Sequence, residues 1–221
     1  MSDSSAAVVP QPNWRIETWF SDIPKDKSAS LKSFFDILIK SNRTHQSISP
    51  KSMPFVDAMF FADSILALRL IFSDKSTISE IYDLGVGAGF PGLVGAILYP
   101  NTKFVLVDQD ANKINFLTDC VASLGLKNVK LIQSTIESLP VGSISVAVSR
   151  GVSNISKLIL SARKCVAQGG TLYHMKSENW GMEVADIPSQ LCSVWSPGLV
   201  SEYRLPIGEV RFAIVKTEKI S

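Results

Sequence analysis

Residues 81–92 read Ile-Tyr-Asp-Leu-Gly-Val-Gly-Ala-Gly-Phe-Pro-Gly, and this stretch decides the fold class. It joins two apolar segments through three alternating glycines, Gly85, Gly87 and Gly89. Glycine has no Cβ atom, so a glycine backbone can approach a bound nucleotide closely. Pro91 suits a first helical turn, where the N–H group that proline lacks would have no partner. The stretch therefore predicts a strand, a tight turn and a helix whose N-terminus faces a nucleotide.

Two kinds of nucleotide cofactor match this turn. The glycines of residues 87–92 spell G-x-G-x-x-G, which is typical of dinucleotide sites, and Asp108 lies near the distance of the acid that binds the ribose there. Asp83, two residues before Gly85, favours S-adenosylmethionine instead. A carboxylate at that position can meet the cationic amino acid group that this cofactor has and a pyrophosphate lacks. Pro91 also offers no N–H to a pyrophosphate. A nicotinamide dehydrogenase and a glycine turn without a ligand are the alternatives.

The composition is that of a globular cytoplasmic protein. Of the 221 residues, 46% are apolar and 19% are charged, and the net charge of +2 permits a nucleic-acid partner without indicating one. The three cysteines lack the spacing of a disulfide framework or a zinc site, so we expect reduced thiols and no metal. The first residues show no signal-peptide pattern. Residues 53–72 are long and apolar enough to span a bilayer, but their three charged side chains favour a buried helix.

The pattern along the chain divides it into three regions. Residues 1–12 are small and polar, which predicts a flexible tail. Residues 13–76 predict a helical N-terminal extension, whose first helix ends at Pro24. Its helices are expected at residues 14–23, 30–40 and 53–72. Residues 77–221 alternate strand and helix, which predicts a Rossmann-like α/β fold with a mostly parallel, seven-stranded sheet. Its strands are expected at residues 78–84, 103–107, 129–132, 144–148, 171–175, 200–205 and 211–215, and its helices at residues 93–98, 112–124 and 155–166.

Polar side chains follow the predicted strands at their carboxyl ends, where ligands bind in sheets of this kind. Asp108 could accept from both ribose hydroxyls, or could instead cap the next helix. Arg150 ends the fourth strand and Lys176 the fifth, and both are candidates for positioning the reactants. The alternatives are a surface ion pair for Arg150 and a solvated side chain for Lys176. His174 and Cys120 are expected in the core.

The sequence lacks the motifs of several other reaction types. The fourth strand is not followed by an Asn/Asp-Pro-Pro-aromatic segment, which clamps an exocyclic amine for methylation. It is not followed by a Pro-Cys nucleophile either, and no Ser/His/Asp constellation is present. The predicted chemistry therefore needs little proton transfer.

Several motifs together resemble the RsmG (also called GidB) family of bacterial methyltransferases, which act on guanine N7 of 16S ribosomal RNA. They are Asp-Leu-Gly-Val-Gly-Ala-Gly-Phe-Pro-Gly at residues 83–92, Leu-Val-Asp-x3-Asn-Lys-Ile-Asn-Phe-Leu at 106–117, Leu-Gly-Leu-Lys-Asn-Val at 124–129, Val-Ser-Arg at 148–150, Tyr-x-Met-Lys at 173–176, and Gly208-Glu209 with Ile214-Val215-Lys216 near the end. An Asp63-Ser64 pair in the long helix also matches. The resemblance covers roughly residues 30–217.

The resemblance implies an S-adenosylmethionine-dependent RNA methyltransferase. The cofactor pocket that it implies contains Gly85, Gly87, Phe90, Asp108, Ile136, Glu137 and Arg150. Ribosomal RNA or the small ribosomal subunit is the expected partner, bound by a basic face built partly from the N-terminal helices and contacted by Lys176, at a phosphate. Guanine N7 carries a free lone pair, so catalysis would come from positioning and water exclusion, without a general base. We expect a cytoplasmic monomer with no membrane or metal partner.

Four positions depart from the family pattern. Phe60 replaces a histidine, Ser47 lies in a segment that replaces Asn-Leu-Thr, and Thr135 and Val210 replace arginines. All four departures remove polar or basic character. They leave two alternatives open: a paralogue that binds cofactor or RNA with little or no turnover, and a methyltransferase for a small molecule or a protein.

Overall fold

The computed structural model describes residues 11–45, 48–75, 77–209 and 211–221. Most of the predicted tail, residues 1–10, lies outside the described residues, as do two of the four departures from the family, Ser47 and Val210. Within the described part of the chain, no helix is long and apolar enough to cross a membrane.

Seven strands form one sheet at the centre of the fold. They are β1 (Glu80–Leu84), β2 (Lys103–Asp108), β3 (Val129–Gln133), β4 (Ile144–Arg150), β5 (Val166–Ser177), β6 (Trp195–Arg204) and β7 (Arg211–Lys219). Their order across the sheet is β3-β2-β1-β4-β5-β7-β6. Strands β1 to β5 run parallel, and β7 is antiparallel to both β5 and β6. The predicted Rossmann-like, mostly parallel sheet is confirmed.

The helices connect these strands and cover both faces of the sheet. The α-helices are α1 (Ile16–Trp19), α2 (Lys25–His45), α3 (Asp63–Asp74), α4 (Gly92–Leu98), α5 (Ala111–Ser123), α6 (Ile155–Ala162), α7 (Trp180–Ala185) and α8 (Ser189–Cys192). Gly125 follows α5 with a φ of +64°, the left-handed conformation that commonly ends a helix. The helix predicted at residues 155–166 ends at Ala162, because β5 begins at Val166 and not at residue 171.

Pro24 does not end a long first helix. The described first helix, α1, has a single turn, and Pro24 directly precedes α2. The carbonyl of Pro24 accepts a hydrogen bond from the N–H of Ser28 at 2.9 Å, as the residue before a helix does. A proline is tolerated there because the N–H group that it lacks would have no partner within the helix. The helix predicted at residues 30–40 is therefore longer and runs from Lys25 to His45.

The long helix predicted at residues 53–72 consists of three pieces. A 3-10 turn (Met53–Phe55) is followed by a π-helical segment (Asp57–Ala62) and then by α3. Arg15 anchors the π-helical segment, since its Nε and Nη2 donate to the two carboxylate oxygens of the buried Asp57, each at 2.8 Å. Single π-helical turns are rare and are frequently found at functional sites.

One hydrophobic core contains side chains from both the N-terminal helices and the sheet. Phe34 of α2 and Phe61 of the π-helical segment pack against Phe90, with ring centroids 5.2 and 5.0 Å away. Leu68 of α3 and Phe104 of β2 belong to the same core. A second hydrophobic core lies on the opposite face of the sheet, where residues of α6 and strand residues such as Val105, Val107 and Ala147 pack together. The helical extension therefore shares its core with the sheet.

Candidate active site

The loop between β1 and α4 is shaped by glycines in conformations that other residues rarely adopt. Gly85, Gly87 and Gly89 have φ values of +73°, +59° and +106°. A Cβ atom on Gly85 would overlap Cγ2 of Val152, whereas one on Gly87 would meet only a carbonyl oxygen at 4.0 Å. The alternation of glycines thus specifies a tight turn at the carboxyl edge of the sheet.

Asp83 lies beneath this loop. Its Oδ2 accepts from the N–H of Gly92, the first residue of α4, at 2.7 Å. Its Oδ1 is buried and has no hydrogen-bond partner among the described residues. Burial raises the pKa of the Asp83 carboxyl to about 7, because loss of water disfavours the charged form. The backbone donor at the start of α4 is therefore already occupied by a carboxylate.

Asp108 ends β2 and lines a cavity beside the glycine loop. Its Oδ2 accepts from the N–H of Gly87 and its Oδ1 from the N–H of Asp110, both at 3.0 Å. The ammonium of Lys113 lies 3.6 Å from Oδ2. The cap of α5 is Asp110, whose side chain accepts from the N–H of Asn112, so Asp108 is not a helix cap. Each carboxylate oxygen of Asp108 retains a lone pair that can accept a further hydrogen bond.

The first cavity, with a volume of about 490 Å³, extends from the glycine loop to the segment after β3. Ile136 and Glu137, which begin a short 3-10 helix (Ile136–Ser138), line its far side together with Thr135. A hydrogen bond from Ser161 lowers the pKa of the Glu137 carboxyl. The cavity thus has an apolar surface at Ile136 and acidic groups at both ends.

Two residues of the predicted cofactor pocket lie behind the loop and not in the cavity wall. Phe90 is buried in the core, where its ring contacts Phe34, Phe60 and Phe61 at 5.0–5.3 Å. Asp83 is held below the loop by the N–H of α4. Of the other predicted residues, Gly85, Asp108, Ile136 and Glu137 line the cavity, and Gly87 hydrogen-bonds to Asp108. Arg150 does not line this cavity and belongs to the wall of a neighbouring one.

The guanidinium of Arg150, at the end of β4, is held by three groups from the N-terminal region. Nε donates to Oδ2 of Asp63 and Nη2 to the carbonyl of Met59, each at 2.7 Å. The guanidinium carbon lies 4.7 Å from the ring centroid of Phe60, which stands where the family pattern has a histidine. Asp63 is buried and also accepts from the hydroxyl of Tyr203 at 2.6 Å. Burial raises the pKa of the Asp63 carboxyl, and the charge of Arg150 opposes that shift.

Arg150 and Lys176 line a second cavity of about 430 Å³. The two cavities are adjacent, since Gly151 and Ser153 belong to the walls of both. The ammonium of Lys176 donates to the carbonyl of Ser153 at 2.8 Å and lies 2.7 Å from Oε2 of Glu183. The side chain of Lys176 is only 12% exposed, so it is not a solvated lysine at a strand end.

His174 and Cys120 lie in the core, as predicted. Nε2 of His174 shares a hydrogen bond with the hydroxyl of Thr217 at 2.8 Å, and burial lowers the pKa of His174 to about 3. Burial raises the pKa of the Cys120 thiol to about 12, which makes it an unreactive side chain. Among the residues that the structure describes, no group of His, Cys, Asp and Glu side chains could hold a metal ion.

Three contributors to the site were not predicted from the sequence. Val152 packs against Gly85, Glu183 pairs with Lys176, and Tyr203 hydrogen-bonds to Asp63. Tyr203 and Asp63 are 140 residues apart, so no local pattern connects them. Glu183 stands on the short helix α7, in a stretch where the apolar periodicity is weak.

Comparison with known proteins identifies the family. The family model for rRNA small subunit methyltransferase G (GidB) matches residues 27–194. The chain is 48% identical to ribosomal RNA small subunit methyltransferase G 3 of Bdellovibrio bacteriovorus over 221 residues, which is all of both chains. It is 30% identical to ribosomal RNA small subunit methyltransferase G of Halorhodospira halophila over 177 residues, 80% of this chain and 82% of the relative.

Solved structures show the same fold at much lower sequence identity. An S-adenosylmethionine-dependent methyltransferase from Aquifex aeolicus superposes with a TM-score of 0.55 and 15% identity, over 77% of this chain and 98% of that one. The YcgJ protein from Bacillus subtilis gives a TM-score of 0.55 at 14% identity, over 71% of this chain and 99% of that one. Because the family model covers most of the chain and the Bdellovibrio relative matches it throughout, the chain belongs to the rRNA small subunit methyltransferase G family, as its motifs predicted.

Proposed function

We propose that this protein is an S-adenosylmethionine-dependent methyltransferase that transfers a methyl group to guanine N7 of 16S ribosomal RNA. One observation carries the proposal: two cavities meet at Gly151 and Ser153, at the carboxyl edge of the sheet. Asp108 lines the first, while Arg150 and Lys176 line the second. A cofactor in the first cavity and an RNA base in the second would lie side by side, which is the main requirement of a transfer reaction.

The first cavity suits S-adenosylmethionine better than a dinucleotide. Asp108 has lone pairs available for two ribose hydroxyls, and Ile136 offers an apolar surface to an adenine ring. Asp83 lies beneath the glycine loop and outside the cavity wall, and its carboxyl, when ionised, disfavours a phosphate at the loop. Gly85, Gly87 and Glu137 complete the proposed cofactor site, Arg150 borders it from the second cavity, and Phe90 supports the loop from behind.

The chemistry matches the side chains present. When bound, S-adenosylmethionine supplies a sulfonium methyl group to an attacking electron pair. Guanine N7 carries such a pair and no proton, so no general base is needed. In keeping with this, no histidine lines either cavity within the described residues. Arg150, fixed by three neighbours, and the nearly buried Lys176 would position the base and exclude water.

The proposed partner is ribosomal RNA in the small subunit, and the proposed state is a metal-free monomer in the cytoplasm, where that RNA is found. The names of the relatives support the RNA class. Lys40 of α2 and Lys51 are exposed and contribute positive charge to the N-terminal region. Two of the residues that differ from the family pattern lie in the site: Phe60 contacts Arg150, and Thr135 lines the first cavity. Neither removes a group that the proposed chemistry requires.

The test is methyl transfer from radiolabelled S-adenosylmethionine to small-subunit RNA that lacks the modification, followed by nucleoside mass spectrometry. We expect 7-methylguanosine. Single-turnover rates at saturating cofactor should be nearly flat between about pH 6 and 9, because no general base must lose a proton. A rate that rises tenfold per pH unit would indicate an amine or hydroxyl acceptor. Tight cofactor binding without transfer to any ribosomal RNA would indicate a paralogue that binds without turnover.

A further inference from the structure

The second cavity has a polar edge that the transfer chemistry does not use. Oε2 of Glu183 forms an ion pair with the ammonium of Lys176, 2.7 Å away, and accepts a hydrogen bond from the N–H of Ile155 at 3.1 Å. No described residue donates to Oε1 of Glu183. The ammonium of Lys176 has three N–H groups and uses two of them, toward Ser153 and Glu183. A free acceptor and a free donor therefore lie side by side in the wall of this cavity.

This pair complements one edge of guanine. On its Watson–Crick edge guanine presents the acceptor O6 next to two donors, N1–H and N2–H. The free Oε1 of Glu183 has two lone pairs, so it can accept from N1–H and N2–H together, while the third N–H group of Lys176 donates to O6. Enzymes that act on an extruded base commonly read it through this edge. The choice of edge also matters chemically, because a base held by N1, N2 and O6 leaves the lone pair of N7 free to attack.

The rest of the cavity provides a surface for the face of a base. Met175 and Phe212 line it, and the ring of Phe212 lies beside that of Tyr203, with centroids 5.8 Å apart and planes 27° from parallel. Unstacked RNA bases pack on aromatic side chains in this way. The volume of about 430 Å³ is within the usual range for sites that enclose small ligands.

We propose that the second cavity binds the acceptor guanine by its Watson–Crick edge, with Glu183 accepting from N1–H and N2–H and Lys176 donating to O6. The inference rests on the proposed function, since it assigns the base that this function methylates. This role of Lys176 replaces the phosphate contact predicted for it from the sequence. Its side chain lines the cavity and is only 12% exposed. Glu183 is thereby assigned as the specificity-determining residue.

Glu183→Gln tests the assignment with little structural change. The amide oxygen can still accept from Ile155, but the amide nitrogen presents a donor to N1–H or N2–H. We expect kcat/KM for small-subunit RNA to fall at least about fivefold, since a good bidentate base contact discriminates by about fivefold or more. The dissociation constant of S-adenosylhomocysteine should not change. Glu178→Gln is the matched control, because Glu178 lies on the same segment, is exposed and lines neither cavity.

A second substrate separates base recognition from a merely structural role. After mass spectrometry has located the methylated guanosine, ligation can place inosine, which lacks the N2 amino group, at that position. The wild-type protein should methylate the inosine RNA several-fold more slowly, and Glu183→Gln should show a much smaller difference between the two RNAs. The base assignment is wrong if inosine slows methylation by the same factor in both proteins, or if Glu183→Gln methylates the guanosine RNA at the wild-type rate. In either case the proposed function stands. Absence of transfer to any guanosine by the wild type would instead overturn the proposed function.

Discussion

At the scale of single residues, Asp108 is the side chain on which cofactor binding should depend most. Asp108 lines the first cavity, and each of its two carboxylate oxygens already accepts one backbone hydrogen bond. We expect Asp108→Asn to weaken binding of S-adenosylhomocysteine at least about tenfold, because a hydrogen bond to a charged group contributes about 1.5–3 kcal/mol. Calorimetric titration measures the change.

The matched control for this substitution is Asp110→Asn. Asp110 caps α5, and asparagine caps a helix about as well as aspartate, so affinity and stability should both be retained. An unchanged dissociation constant in Asp108→Asn would show that Asp108 only shapes the glycine loop.

Asp83 should make the stability of the free protein depend on pH. Its folded-state pKa of about 7 lies above the ordinary value of 3.8, so the folded state binds this proton more tightly than the unfolded state. The resulting stability is complete below about pH 4 and is lost as the pH rises through about 7. Asp83→Asn removes the titration. Relative to wild type, the free energy of unfolding of Asp83→Asn should therefore rise between about pH 4 and 7, by up to about 1.4 kcal/mol per pH unit.

Urea denaturation at four pH values, without cofactor, measures this difference. The two stability curves should diverge steadily and then become parallel above about pH 8, where Asp83 is ionised in both states. Curves that stay parallel throughout would mean that Asp83 is ionised across the whole range, and that its buried oxygen is hydrated or paired in solution.

The sequence predicts which residues lie near the site better than it predicts whether their side chains point into the cavity or into the core. Asp108 and Arg150 end their strands and Lys176 lies one residue before the end of β5, and all three were identifiable because the carboxyl ends of parallel strands meet at one edge. Asp83 lies inside β1, one residue before its end, and its side chain is buried below the loop. Phe90 also turns into the core. These directions depend on packing against helices that are distant in the sequence.

At the scale of elements, the turn after β1 should not tolerate a side chain. Gly85→Ala combines a positive φ, which costs a non-glycine residue about 1–2 kcal/mol, with an overlap between the new methyl group and Val152. Gly142→Ala is the matched control, because Gly142 has a φ of +65° and open space around its Cα. Both variants should lose stability, but only Gly85→Ala should also lose binding of S-adenosylhomocysteine. Equal affinity in the two variants would show that the loop does not approach the cofactor.

The network around Arg150 joins three elements, since Arg150 ends β4, Asp63 begins α3 and Tyr203 lies in β6. Tyr203→Phe leaves Oδ1 of the buried Asp63 without its partner, which should cost about 1–3 kcal/mol of stability. We also expect a lower kcat with little change in cofactor affinity, because the guanidinium is then less firmly held. The control is Tyr82→Phe, a partly buried tyrosine on β1 outside both cavities. A kcat equal to that of wild type would mean that the network serves stability alone.

The strands were predicted better than the short and irregular helical segments, although the first five residues of both β5 and β6 were missed, as were α7 and α8. Strands β1 to β4 were found because each contains a short, mainly apolar run bounded by turn residues, whereas β6 (Trp195–Arg204) carries polar residues along its length. The π-helical segment (Asp57–Ala62) was missed because six residues of a π-helix and of an α-helix have indistinguishable apolar spacing. What anchors it is the ion pair between Arg15 and Asp57, two residues 42 positions apart. A contact between residues so far apart in the sequence leaves no pattern in the local sequence that could predict it.

At the scale of the whole molecule, the N-terminal helices and the sheet are coupled through one core and one site. Phe34 and Phe61 pack on Phe90 directly behind the glycine loop. Asp63 and the carbonyl of Met59 hold Arg150. A ligand that orders the carboxyl edge of the sheet should therefore stabilise the entire chain, and not only the strands that it touches.

This coupling predicts a single, cofactor-dependent thermal transition. S-adenosylhomocysteine at 100 times its dissociation constant should add about 2.7 kcal/mol to the free energy of unfolding, which raises the midpoint temperature by roughly 5–10 °C for a chain of this size.

NAD should leave the transition unchanged. Its pyrophosphate would need the N–H groups at the start of α4, and that of Gly92 is committed to the carboxylate of Asp83, which would also repel the phosphates. Differential scanning calorimetry with each ligand makes the comparison. A shift with micromolar NAD and none with S-adenosylhomocysteine would contradict the cofactor assignment, and two separate transitions would contradict the shared core.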